Sequence, residues 1–238
     1  MRIARLAVIA ICVMLCGIAP GYSQQIHGEA SVLSGRVELP KSKGNERKLA
    51  VVAWLNNVDH SATIASPQPQ HFKLLQKNRM FSPHLLVVPV GSVVDFPNAD
   101  PFFHNVFSLF NGKRFDLGLY EAGSTKEVTF SREGVSYIFC NIHPEMSAIV
   151  VALATPWHAT ADPSAHFVIE KVPPGDYDLH IWIEGTPQPA LDRLTRRIHV
   201  RQDAENAVIV DASNSPRLPD EHLNKFGKPY ERESGSPY

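Results

Sequence analysis

The sequence predicts an all-β protein built from β-sandwiches, on three observations. Short apolar runs, alternating or continuous, recur between glycine, proline and asparagine. Sustained helical periodicity is missing. Tyr177, Leu179, Ile181 and Ile183 alternate with polar Asp178, His180 and Glu184, as a sheet with one buried face requires.

In chain order, strands are expected at Val32–Leu39, Leu49–Leu55, Phe72–Leu75, Leu85–Val90, Ser92–Phe96, Asn105–Phe110 and Lys126–Phe130. They continue at Val135–Cys140, Ala148–Leu153, His166–Glu170, Tyr177–Glu184, Arg197–Val200 and Ala207–Val210. Each is an apolar or alternating run closed by turn-forming residues. A single helical turn is expected around Leu191–Arg196. The extended C-terminal tail, residues 212–238, is rich in proline, glycine and charge and offers no core, although Leu223, Phe226 and Tyr230 suit anchoring to the surface.

The chain has 238 residues, 44% hydrophobic and 20% charged, enough apolar material for one large domain or two small ones. Its 23 lysines and arginines against 24 acidic residues leave no basic surplus, which argues against nucleic-acid partners. Arg2 and Arg5 precede an apolar run, Leu6 to Ile18, and then small residues up to Ser23. Residues 1–23 therefore read as a cleavable signal peptide, and the mature chain as exported, for example to a periplasm. The run is shorter than the roughly 20 residues of a membrane-spanning helix, and nothing later is apolar enough to span. Ile11 precedes Cys12 and Leu15 precedes Cys16, so neither cysteine has the small neighbour that lipid attachment needs. Cleavage leaves one thiol, Cys140. A lone thiol in an oxidising compartment points to a metal ligand or a buried site.

The chemistry concentrates between Leu85 and Leu153. Cys140-Asn141-Ile142-His143-Pro144-Glu145-Met146 puts thiolate, imidazole and thioether donors on one loop after a hydrophobic strand. His104 opens an earlier strand, after the turn-like Asn98-Ala99-Asp100-Pro101. Two imidazoles and a thiolate in a trigonal plane, with a weak axial thioether, describe an electron-transfer copper site. Zinc is disfavoured, because structural zinc usually takes four Cys or His ligands and rarely a thioether.

These residues resemble the cupredoxins, the small blue copper proteins. Val88-Pro89-Val90-Gly91-Ser92-Val93-Val94-Asp95-Phe96-Pro97-Asn98, followed by Phe103-His104-Asn105-Val106, is similar to the plastocyanin and amicyanin strand that supplies the first histidine ligand. Gly134-Val135-Ser136-Tyr137-Ile138-Phe139-Cys140 resembles the strand that delivers the cysteine, and Cys-x-x-His-x-x-Met is the short loop of amicyanin and pseudoazurin. The resemblance covers residues 71–154 and implies a Greek-key cupredoxin domain. It also implies one type 1 copper held by His104, Cys140, His143 and Met146, with Asn105 steadying the ligand loop by hydrogen bonding. Phe102, Phe103 and Glu145 depart from the pattern, and Glu145 reads as a solvated charge at the loop rim.

The flanks resemble another family. Ser34-Gly35-Arg36-Val37, Ala50-Val51-Val52-Ala53-Trp54-Leu55 and the stretch from Phe167 to Leu179 are similar to the carboxypeptidase regulatory-like, transthyretin-type β-sandwich. Residues 24–70 and 155–211 then form a discontinuous sandwich into which residues 71–154 are inserted. Two consecutive domains are the alternative.

The resemblance implies an exported carrier of single electrons. A redox partner protein is expected to dock near His143 through an apolar patch of Phe81, Phe102, Phe103 and Pro144, without strong steering, since residues 71–154 hold seven basic and seven acidic residues. Copper enzymes of this type need a second copper centre, with histidines flanking the cysteine. Phe139 and Asn141 flank Cys140 and no His-x-His pair occurs, so the chain is not expected to be an enzyme. Copper delivery usually needs clustered methionines or thiols, and only Met80 and Met146 remain after the leader. Delivery, and a module whose copper serves only structure or interaction, are the alternatives to a carrier. The other histidines, including His84, His158, His166 and His180, are assigned no metal role.

Overall fold

The computed structural model describes residues 31–41, 49–58, 67–109, 112–202, 204–219 and 222–230. The expected leader, residues 1–23, lies outside the described residues, as do Phe110 and the tail beyond residue 230. The strands are β1 (Ser31–Glu38), β2 (Val51–Asn57), β3 (His71–Lys73), β4 (Leu75–Lys77), β5 (Met80–Ser82), β6 (Leu85–Pro89), β7 (Val93–Pro97), β8 (His104–Ser108) and β9 (Phe115–Tyr120). They continue with β10 (Thr125–Thr129), β11 (Gly134–Cys140), β12 (Ser147–Leu153), β13 (His158–Thr160), β14 (His166–Val172), β15 (Gly175–Ile183), β16 (Arg196–Val200) and β17 (Asn206–Asp211). The helix α1 (Gln188–Asp192) begins a few residues earlier than expected, because proline at its first turn supplies a helical φ without needing an N–H partner.

The protein is an all-β sandwich fold. Strands β3 to β12 form a three-stranded sheet, β10-β7-β3, a five-stranded sheet, β6-β12-β11-β8-β9, and the small β4-β5 ribbon. The flanking strands pair with one another: β14-β1-β17 and β13-β2-β15-β16. Thus β1 lies antiparallel to β14 and parallel to β17, which sit more than a hundred residues further along the chain. Gly35 of β1 is needed there. A Cβ at this position would overlap the Phe167 ring, so only glycine lets the ring cross the strand.

Two cores share the five-stranded sheet. Period-two alternation in β12 sends Ala148, Val150 and Ala152 to one core and Ile149, Val151 and Leu153 to the other. The first core lies between the two larger sheets of β3 to β12 and contains Phe96, Val106, Tyr120, Phe130, Ile138, Cys140 and Met146. The second is built with the flanking strands from Leu33, Leu55, Trp157, Phe167, Tyr177, Leu179 and Ile181.

β9 was not expected, although Phe115, Leu117 and Leu119 alternate in the sequence. It carries a bulge opposite β8, where the register slips between Asn105 and Phe107, and Gly118 adopts φ +67° within it. β13 and the β4-β5 ribbon, three residues per strand, were also missed. Among the described residues no helix is long and apolar enough to cross a membrane.

Candidate metal centre

Every residue of β8 is buried, and His104 is its first. The turn before it is built by Asn98, whose side-chain amide donates to the Phe102 carbonyl at 2.8 Å and accepts the Asp100 N–H at 3.0 Å. This aims the Asp100 carboxylate inward. It accepts the N–H groups of Asn78 at 2.6 Å and Arg79 at 3.1 Å, and that of His104 Nε2 at 2.9 Å. Burial would raise the Asp100 carboxyl, but these donors outweigh it and hold the group below the usual carboxylate range. Burial pushes the His104 imidazole down despite the carboxylate, which favours the neutral ring. With its hydrogen on Nε2, neutral His104 presents a bare lone pair at Nδ1.

Cys140 ends β11 on the same face as Ile138, so alternation alone points its sulfur into the first core. Its Sγ lies 3.6 Å from His104 Nδ1 and 3.5 Å from His143 Nδ1, and the two Nδ1 atoms are 3.1 Å apart. The three donor atoms fall within 4.8 Å of one another, and all three residues are buried. The loop folds back on itself: Met146 N–H donates to the His143 carbonyl at 3.1 Å, and Cys140 N–H to the Met146 carbonyl at 3.2 Å. Met146 is fully buried in the core that holds Cys140. Glu145 is exposed at the rim.

Burial raises the Cys140 thiol, against hydrogen bonds from the main chain of Asn105, Ile142 and His143. The edge of Phe102 meets His104, and its ring also lies against His143, with centroids 5.4 Å apart in both cases. Beneath the site the buried Tyr120 hydroxyl donates to the Phe96 carbonyl at 3.1 Å and receives the Gln76 amide.

Two residues, Phe81 and Asp100, differ in role from the sequence reading. Asn105 holds the loop with its main chain, its carbonyl accepting the Asn141 N–H at 2.8 Å. Its side chain turns instead to β9, donating to Asp116 at 2.7 Å and to the Gly118 carbonyl at 3.1 Å. Phe81 is buried in the first core and cannot serve a docking patch, because β5 packs it inward. Asp100, the partner of His104, was read only as part of a turn. Its four-residue spacing before the histidine was the available signal.

The tail also reaches the site. Tyr230 donates its hydroxyl to the Cys140 carbonyl at 2.8 Å, His222 Nε2 lies 2.8 Å from the Pro144 carbonyl, and the Lys225 N–H meets the Asn141 side chain at 3.0 Å. Of the three anchors expected there, Tyr230 is half-buried, whereas Leu223 and Phe226 are exposed. Of the other histidines named by the sequence, His84 Nε2 meets Glu184, 100 residues away, at 2.9 Å and His180 stacks on Trp54, while the buried Nδ1 of His158 has no hydrogen-bond partner among the described residues.

A thiol and two imidazole Nδ1 atoms converging in a buried pocket could hold a metal ion, and the donor chemistry fits a soft, borderline cation. No family model and no curated protein matches this chain. Solved structures do. A copper-containing nitrite reductase from Thermus scotoductus is 24% identical over 42% of this chain and 26% of its own, with a TM-score of 0.34. A purple cupredoxin from Nitrosopumilus maritimus is 29% identical over 36% of this chain and 100% of its own, TM-score 0.31. An amicyanin variant in its oxidised state is 21% identical over 35% of this chain and 82% of its own, TM-score 0.33. The chain spans about a quarter of the reductase's length. The expectation that the chain is not an enzyme is corrected by this match, since the reductase is one. The residues flanking a cysteine describe only its near surroundings and do not exclude catalysis elsewhere.

Proposed function

We propose that residues 71–154 form a cupredoxin-type domain holding one type 1 copper, and that the protein carries single electrons. His104 Nδ1, Cys140 Sγ and His143 Nδ1 would hold the ion, with the Met146 thioether as a further, weak donor. Copper, when bound, supplies one-electron redox chemistry. The observation that carries this reading is the convergence of the two Nδ1 atoms and Sγ, with the His104 ring pinned from behind by Asp100.

The chain's own residues do the rest. Asp100 fixes the tautomer and plane of His104. The main-chain bonds between Cys140, His143 and Met146 set the loop before any ion arrives, which limits rearrangement between oxidation states. Burial of all three donors, with Phe102 against both imidazoles, excludes water. The partner is a redox protein docking near His143 on Phe103, Ile142 and Pro144, which are exposed. The mature chain is exported, and the copper domain is inserted in a regulatory-like sandwich. Support for the insertion is that β1 and β2 share their sheets with β13 to β17, while β3 to β12 pair among themselves.

The test is a visible and paramagnetic resonance spectrum of copper-loaded protein. An intense thiolate-to-copper band is expected, and Cys140→Ser abolishes it while the fold persists. A protein that takes zinc yet stays colourless with Cu(II) overturns the reading.

A further inference from the structure

We infer that the C-terminal strap, residues 222–230, is a working part of the metal centre, with Tyr230 and His222 as positioning residues for the ligand loop. The inference rests on the copper reading above. It starts from where the strap touches the loop. Tyr230 bonds the carbonyl of Cys140, Lys225 N–H bonds the side chain of Asn141, and His222 meets the carbonyl of Pro144. The His222 ring stacks on Phe139 with centroids 3.9 Å apart. These contacts fall before, between and after Cys140 and His143, and none uses the thiol or an imidazole of the donor trio. A second tie comes from Lys225 Nζ, 2.8 Å from Asp116, the carboxylate that also receives the Asn105 side chain.

The loop's internal bonds run from Cys140 N–H to Met146 and from Met146 N–H to His143. They leave the carbonyls of Cys140 and Pro144 to be satisfied from outside, and the strap supplies both donors. Two consequences follow. The loop is held from both faces, so the spacing of Sγ and the imidazoles resists change when the charge of the site changes. A hydroxyl donating to the carbonyl of the thiolate residue also places positive charge density near the sulfur, which favours the electron-richer reduced state. Tyr230 and His222 therefore raise the reduction potential and stiffen the site. Tyr230 is 90 residues from Cys140, so this role belongs to the fold and to no local motif.

The experiment uses the full-length protein and Tyr230→Phe, which keeps the ring and removes only the hydroxyl, with His222→Ala as a second variant and Ile209→Ala, exposed on flanking strand β17, as control. Reduction potential and paramagnetic resonance are read on copper-loaded protein, and amide hydrogen exchange of residues 141–146 on metal-free protein. The expected result is a lower potential and an altered copper hyperfine pattern for the first two variants, with exchange about fivefold faster, the factor one ordinary hydrogen bond is worth. The control changes nothing. Unchanged potential, spectrum and exchange in Tyr230→Phe and His222→Ala overturn the inference and leave the strap as surface packing. If wild-type protein takes up no copper, the copper reading fails, and the exchange measurement still decides whether the strap positions the loop.

Discussion

The two faces of the five-stranded sheet make opposite use of the same strands. Toward the candidate metal centre, β12 presents Ala148, Val150 and Ala152, small side chains that leave room for Met146, Tyr120 and Cys140. Toward the flanking sandwich it presents Ile149, Val151 and Leu153 against a core with Trp157, Tyr177 and Leu179. Buried polar groups divide just as unevenly. Gln76, Asn98, Asp100, His104, Asn105, Ser136 and His143 lie in the β3 to β12 part, where most find partners in one another or in the main chain. One face is therefore a chemical site that tolerates polar atoms because most are held, Gln76 Oε1 and Ser108 Oγ being buried without a hydrogen-bond partner among the described residues. The other is a hydrophobic scaffold that gives the site a rigid back wall.

The sharpest way to break this comparison is to damage the scaffold. Leu179 is fully buried, and Leu179→Ala should cost about 2–5 kcal/mol, the usual range for a leucine-sized cavity. Because β12 serves both cores, thermal unfolding of copper-loaded protein should remain a single transition, with the visible band lost at the same lowered temperature as the far-ultraviolet signal. Two separated transitions would show that the faces are energetically independent. Below the transition the band should be unaltered, since no atom near the donors has moved.

Next in size is the carboxylate behind His104. Asp100→Asn keeps the shape but gives up the charge that fixes the Nε2 hydrogen, and should weaken copper affinity by about 10–100-fold. A competition titration against a chelator measures it. The stability of the flanking core should not follow. Smaller again is Met146→Leu, which removes a weak neutral donor and should raise the reduction potential while keeping the thiolate band. Glu145→Ala, at the exposed rim, should leave the spectrum as it is.

What the sequence made legible follows the same division. Apolar runs closed by turn residues reported β11 and β12 closely, because such a run is a local property, whereas the direction in which Cys140 points came only with the fold. The donor trio was readable since chemistry of that kind needs rare side chains at set spacings. β9 was hidden by Gly118 in its bulge, and the ribbons of three residues are too short to show a period. Asp100 looked like a turn residue until the fold placed its carboxylate on His104. Tyr230 was legible only as a surface anchor, and His222 not at all, because their partners on the ligand loop lie 90 and 78 residues back in the chain.

The smallest expected effect concerns how the strap is tied at Asp116. Burial works to raise this carboxyl, yet hydrogen bonds from Lys225, Asn105 and Gly118 hold it below its usual value of 3.8. A carboxyl depressed in the folded state contributes stability that is fully present above its unfolded value and is lost as pH falls through the folded one. Acid should therefore loosen the tie between β9 and the strap only below about pH 4, and neutral pH should leave it whole. The side chain of Asp116 is 42% exposed, so solvent screens the pair and the change in overall stability should be slight. A local probe is needed. Protection of residues 222–230 against hydrogen exchange, relative to the intrinsic rate at each pH, should fall on acidification in wild-type protein, whereas Asp116→Asn should show the lower protection already at neutral pH and little further change. If the asparagine variant behaves as wild type at both pH values, the strap is held by its contacts with the ligand loop alone, and the metal face of the sheet needs no anchor on β9.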